Sequence, residues 1–164
     1  MTGEQRRFTF FWKQESPFSQ WHPTRFVVAG KEFSCAEQYM MHGKAMLFGD
    51  AEVAKRILAS TSPKTHKALG RKVSGFNEGL WNKERERIVY EGNHAKFTQN
   101  PELLEALLAT AGTELVEASP LDRIWGVGLG EEDPRIQNPS QWRGLNLLGK
   151  VLTRLREDLL KSRK

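Results

Sequence analysis

Glu37 and Lys44 stand seven residues apart in the run Ser34-Cys35-Ala36-Glu37-Gln38-Tyr39-Met40-Met41-His42-Gly43-Lys44. On a helix that spacing is close to two turns, so Glu37, Met41 and Lys44 share one stripe with the carboxylate and the amine on the same side. The neighbouring stripe, Ala36, Met40, Gly43 and Leu47, is apolar and reads as core. A carboxylate beside a core can stabilise positive charge or activate water, and a desolvated lysine amine can attack an electrophilic carbon. The same two residues also read as a capping glutamate and a surface lysine, because Ser34 followed three positions later by Glu37 makes a capping box. Spacing alone leaves both readings open.

A second group lies far along the chain. Asp122 and Trp125 are three apart in an irregular stretch, and Trp81 begins a long helical pattern. Aromatic rings near a carboxylate suit the stacking of a flat heterocycle, and core packing explains them equally. Gly126-Val127-Gly128-Leu129-Gly130 has the form G-x-G-x-G but follows no convincing strand and opens no helix. It fits neither a dinucleotide fingerprint nor a P-loop, and a tight turn accounts for it. His22, His42, His66 and His94 are not spaced as metal ligands with the lone Cys35, so no metal is expected. No Gly-x-Ser-x-Gly segment marks a nucleophilic serine. Cys35 reads as a small buried thiol.

These residues need elements to hold them. A chain of 164 residues fits one domain, 1–164, with a core over about 8–160. The pattern is mainly α: a compact multihelical domain with a short N-terminal strand and hairpin. Phe8 to Trp12 is an aromatic, strand-like run, and Arg25 to Val28 and Lys31 to Phe33 flank Ala29-Gly30 as a hairpin. Ser34 caps a first helix reaching to about Phe48, and Asp50 caps the next through Leu58. Ser62-Pro63 and Asn100-Pro101 open helices to about Lys72 and Thr110. A long helix covers Leu80 to Thr98, with Trp81, Ile88 and Ala95 spaced by sevens. A last helix, about Leu145 to Lys161, puts Leu148, Leu152, Leu155 and Leu159 on one stripe. Between them, 111–143 is irregular, and its aromatics argue for a structured loop over 119–143.

Composition narrows the setting. One cysteine excludes an internal disulfide. Met1 to Arg7 is polar with no apolar h-region, and no run approaches the roughly 18 apolar residues of a spanning helix. A soluble, cytoplasmic protein with no membrane contact is expected. The net charge of +5 is spread over scattered residues, partly in Lys161, Arg163 and Lys164. It suits an ordinary solvated surface or a phosphate-bearing ligand, but not a dedicated nucleic-acid patch.

Six segments in register resemble the NADAR (YbiA-like) family over about residues 8–157. They are Ser16 to Trp21; Ala36 to Met41 with Lys44-Ala45; Asn77 to Trp81 with Arg85 and Ile88; Ala95 to Asn100; Leu115 to Asp122 with Trp125-Gly126; and Asn146 to Lys150. The resemblance implies a compact, mainly helical fold and an N-glycosidase that needs no metal or cofactor. It implies one of two phosphate-bearing small-molecule substrates. The first is the ribosylamino-pyrimidine phosphates of riboflavin biosynthesis. The second is ADP-ribosylated guanine, in nucleosides or nucleic acid, in a setting where a toxin modification is reversed. By position, the family's essential glutamate falls on Glu37, its helix lysine on Lys44 and its supporting residues on Trp81, Asp122 and Trp125. Phe18 and Gly126 lie in the matching segments and are expected to line the substrate site. Gln20 stands where the family often carries Asn. The alternative expectation is a non-catalytic ADP-ribose or nucleotide-binding module.

Overall fold

The structure, a computed structural model, describes residues 7–163. The polar segment 1–6 and Lys164 lie outside the described residues. Among the described residues six α-helices dominate, as the apolar periodicity predicts, and the strands are few and short. The described residues divide into two compact units, a central one from Gln20 to Pro101 and a terminal one built from 7–19 and 102–163.

The central unit holds the predicted hairpin, β2 (Phe26–Val28) paired antiparallel with β3 (Lys31–Phe33). Its turn places Ala29 and Gly30 at positive φ. Four helices follow: α1 (Ala36–Leu47), α2 (Ala51–Leu58), α3 (Pro63–Gly70) and α4 (Glu78–Thr98). Helix α1 packs on α2, α3 and α4 and is the hub of this unit. The Phe26 and Phe33 rings stack at 5.6 Å, with Tyr39 of α1 edge-on to Phe33 at 5.1 Å, and so fix the hairpin to α1. Each fully buried phenylalanine contributes about 1.5–3 kcal/mol to this packing.

The terminal unit begins with β1 (Phe8–Phe11), which pairs parallel with β4 (Glu114–Glu117). Two further helices, α5 (Pro101–Leu108, its first residue in the central unit) and α6 (Leu147–Ser162), complete the chain, and α6 packs on β4. Leu148, Leu152 and Leu155 are fully buried, as the leucine stripe predicts. Strand β4 lies inside the stretch expected to be irregular. Its Glu-Leu-Val-Glu is too short to show alternation, and its partner β1 is more than a hundred residues away, so nothing local marks it. Two short 3-10 turns, Pro134–Gln137 and Pro139–Gln141, occupy the later part of the loop.

The helix starts follow the expected chemistry, with one correction. Asp50 accepts from the Val53 N–H and Ser62 from Thr65, as expected, while Asn77, not expected as a cap, accepts from Leu80 and starts α4 two residues early. The capping box at Ser34 and Glu37 does not form. The N-cap is Cys35, which makes no side-chain cap, and the Ser34 N–H and hydroxyl both donate to Gln38 Oε1, at 2.7 and 3.0 Å. The Gln38 side chain outcompetes Glu37 because it also donates its NH2 to the Ile57 and Ser60 carbonyls, at 3.0 and 2.9 Å. A buried amide with both ends satisfied is worth more than one cap on an exposed turn.

Candidate functional site

In the central unit, the start of α1 is held from outside the helix. The Glu37 N–H donates to the Gln20 carbonyl at 2.9 Å, supplying an acceptor that a helix's first turn lacks. The Gln20 side chain is buried too, and its Oε1 accepts from Asn93 of α4 at 2.9 Å. Gln20 therefore ties the first turn of α1 to α4. Gln38, as described, fastens the same turn to the end of α2. With these contacts in place, the Glu37 side chain is only 5% exposed. A carboxylate so buried and so firmly mounted is not the solvent-facing cap that the spacing also allowed.

Two turns on, Lys44 is half-buried. Its ammonium lies 4.8 Å from the centre of the Phe76 ring and 5.6 Å from that of Trp81, both within cation–π range. Burial is the main influence on its pKa and pushes it below the usual lysine value. The Glu37 carboxylate works in the opposite direction, and the Arg71 guanidinium lowers the pKa further. Glu37 and Lys44, read from one stripe, and Trp81, read apart from them, thus come together in one unit. Phe76 and Arg71 join them and had no sequence signal, since neither falls on a helical stripe.

A second buried cluster lies against the same turn. The Cys35 Sγ is 3.7 Å from His66 Nδ1, and His66 Nε2 is 2.6 Å from the Ser60 carbonyl. Burial raises the thiol's pKa and lowers that of the imidazole, so both rest neutral at pH 7. Lys96, fully buried on α4, is pushed down to about 7 by desolvation, with the Cys35 sulfur acting the other way. Cys35 is the small buried thiol expected.

In the terminal unit the candidate residues are of a different kind. Ser119 Oγ accepts from the N–H groups of Leu121 and Asp122, and Asp122 Oδ1 accepts from those of Ile124 and Trp125, both at 2.9 Å. These nested turns fold the segment on itself. Gly126 is buried, and a Cβ there would sit 2.9 Å from a Glu117 carboxylate oxygen and 3.0 Å from the Asp122 and Glu117 carbonyls, so no larger residue fits. Val127 and Leu129 enter the core between the glycines, which makes the G-x-G-x-G run a packed turn rather than a phosphate cradle. Asn146, at positive φ, closes the loop: its Oδ1 accepts from Glu117 N–H at 3.0 Å and its Nδ2 donates to the Leu115 carbonyl at 3.1 Å. Phe18 is buried with its ring edge-on to Phe11 at 5.7 Å. Trp125 is partly buried.

Comparison with known proteins adds to this geometry. N-glycosidase R617 of Acanthamoeba polyphaga mimivirus is 47% identical over 146 residues, 86% of each chain. N-glycosidase YbiA of Escherichia coli is 33% identical over 142 residues, 87% of this chain and 80% of that one. The NMR structure of the E. coli protein YbiA superposes with a TM-score of 0.80 at 29% identity, covering 98% of this chain and 89% of the other. The family profile of the NADAR domain matches residues 10–160. The chain belongs to the NADAR domain family.

Proposed function

We propose that this chain is a hydrolase of N-glycosyl bonds that cleaves the C1′–N bond of a phosphate-bearing N-riboside, with Glu37 and Lys44 as its catalytic residues. One observation carries this reading: a buried carboxylate acts electrostatically on a partly desolvated amine, walled by aromatic rings. Relatives that carry N-glycosidase in their names support the reaction class.

Breaking a C1′–N bond builds positive charge on the ribose, as in other glycosidic cleavages. Glu37, ionised, stabilises that charge and can take a proton from water. Lys44 opens a covalent route. Its neutral amine attacks C1′, the C1′–N bond breaks, and the departing heterocycle leaves with a proton. The sugar ring opens to a Schiff base between C1′ and Nζ. Water then adds at C1′, releasing the sugar and restoring the amine. Burial makes the neutral amine more available than in an ordinary lysine. Arg71, whose charge is felt at Lys44, suits the substrate phosphate. Among the residues of the terminal unit, Asp122 carries the proposed role of orienting ribose hydroxyls or base, and Trp125, Phe18 and Gly126 that of substrate contacts.

The substrate is either a ribosylamino-pyrimidine phosphate or ADP-ribosylated guanine, and incubation with each separately distinguishes them by the free base released. Release that persists in Glu37→Gln rules out Glu37 as the essential carboxylate. Binding without release from either compound identifies a nucleotide-binding module instead.

A further inference from the structure

Phe76 is an exposed aromatic at a site where exposure is costly. It lies in the segment between α3 and α4 and is 46% exposed, although Val73, Ser74 and Asn77 of that segment are each anchored. Val73 is buried. The Ser74 N–H and hydroxyl donate to Asp50 Oδ2 at 2.9 and 3.0 Å. Gly75 takes a φ of +76, a conformation that favours glycine, and Asn77 caps α4. The ring itself is steadied edge-on by Phe48 at 5.4 Å. A fixed apolar ring left half in water, beside a candidate nucleophile, has a free surface to offer.

Trp81, which the sequence allowed as a stacking ring, a pocket wall or core packing, offers little free surface. It is only 9% exposed, so it serves as a wall, while Phe76 presents open aromatic surface on the same amine. Substrate chemistry at Lys44 puts C1′ within bonding distance of Nζ, and the heterocycle is attached to C1′ through the nitrogen of the scissile bond. A ring whose centre lies 4.8 Å from Nζ is therefore within reach of that heterocycle. The iminium of the covalent route would keep the same cation–π contact.

We propose that Phe76 is a specificity residue of this site: its ring is the surface on which the flat heterocycle of the N-riboside stacks beside Lys44. The inference rests on the N-glycosidase reading and names the part of the substrate that Phe76 recognises. Stacking on an aromatic ring accepts many bases and distinguishes an intact N-riboside from its sugar product.

The test is steady-state kinetics on whichever of the two N-ribosides the wild type cleaves, with the sugar product, ribose 5-phosphate or ADP-ribose, as competitive inhibitor. Phe76→Ala should raise KM by about 5- to 150-fold, the range that one stacked base supplies. It should leave the inhibition constant of the sugar product unchanged. Phe76→Trp should restore KM, and Phe76→Leu, which keeps apolar bulk without an aromatic face, should not. Equal weakening of substrate and product, full activity in Phe76→Leu, or an unchanged KM in Phe76→Ala would each overturn the inference while leaving Glu37 and Lys44 in place. Absence of turnover of both compounds by the wild type defeats the underlying reading and this inference together.

Discussion

The two units hold their polar residues for different ends. In the central unit Glu37 and Lys44 project from α1, one buried and the other half-buried, and Glu37 and Arg71 both act on the charge of Lys44. In the terminal unit the polar groups of the 119–146 loop are spent on the loop itself: Ser119 and Asp122 on backbone N–H groups, Asn146 on β4. Perturbed titration collects where chemistry is done, and turn-forming side chains collect where a loop must be rigid. On the proposed reading the reactive groups belong to the central unit, and the loop has first a scaffolding duty.

The sharpest way to break that contrast is Glu37→Gln. The amide keeps the size of the side chain, and the Glu37 N–H bond to Gln20 is untouched. Turnover should fall by at least about 10³-fold, the scale of losing a main electrostatic stabiliser, with thermal stability close to wild type. Near-normal turnover would remove the central unit's claim to the reaction.

Lys44→Met should cost about 10²-fold, as loss of one participating group does, and should abolish any adduct trapped by borohydride during turnover. The pH profile adds a check. Only the neutral amine attacks, so activity carried by Lys44 rises with pH through its pKa. Because burial lowers that pKa, the plateau should arrive below the 10.5 of an ordinary lysine. A profile without this limb, and no adduct by mass spectrometry, would leave direct water attack assisted by Glu37.

How much of this was legible in the sequence follows from range. Helix positions, the hairpin and the caps at Asp50 and Ser62 are local features, and they are present as read. The Glu37–Lys44 stripe was visible as a spacing but not as a site, because burial is not local. The capping box failed for the same reason: Gln38 finds its other partners on α2 and beyond, at Ile57 and Ser60. Strand β4 pairs across the whole chain, and Phe76 gains its meaning only from Lys44 and Trp81, which come from two different helices. Asp122 was read as a carboxylate supporting the site, and its turn-forming oxygen was hidden in a loop with no period to read.

A third test concerns the buried charge of the central unit. Lys96 has a folded pKa of about 7 against 10.5 for the free side chain. Between those values the unfolded chain binds more protons than the folded one, so stability should rise with pH there. Each pH unit in the window is worth at most about 1.4 kcal/mol. The burial-raised pKa of Cys35 opposes this once pH passes the free-thiol value of 9.0, so the clean interval is pH 7 to 9. Lys96→Met should flatten the slope in denaturant titrations across that interval. An unchanged slope would mean that the amine's burial is fully compensated.

The smallest effect separates the two duties of Asp122. Its Oδ1 accepts the Ile124 and Trp125 N–H bonds, and an asparagine keeps that oxygen while losing the charge. Asp122→Asn should therefore leave the melting temperature within error of wild type. Asp122→Ala, which removes the acceptor of two N–H groups, should cost about 0.5–1.5 kcal/mol of stability. If Asp122 also orients the substrate, Asp122→Asn lowers kcat/KM by about tenfold, the loss of roughly 1.4 kcal/mol of transition-state binding. If kcat/KM is instead unchanged in the asparagine variant and falls only with stability in the alanine variant, Asp122 is scaffold alone. The chemistry then belongs entirely to the helices of the central unit, because the charge, not the oxygen that folds the loop, is what a reacting ribose would feel.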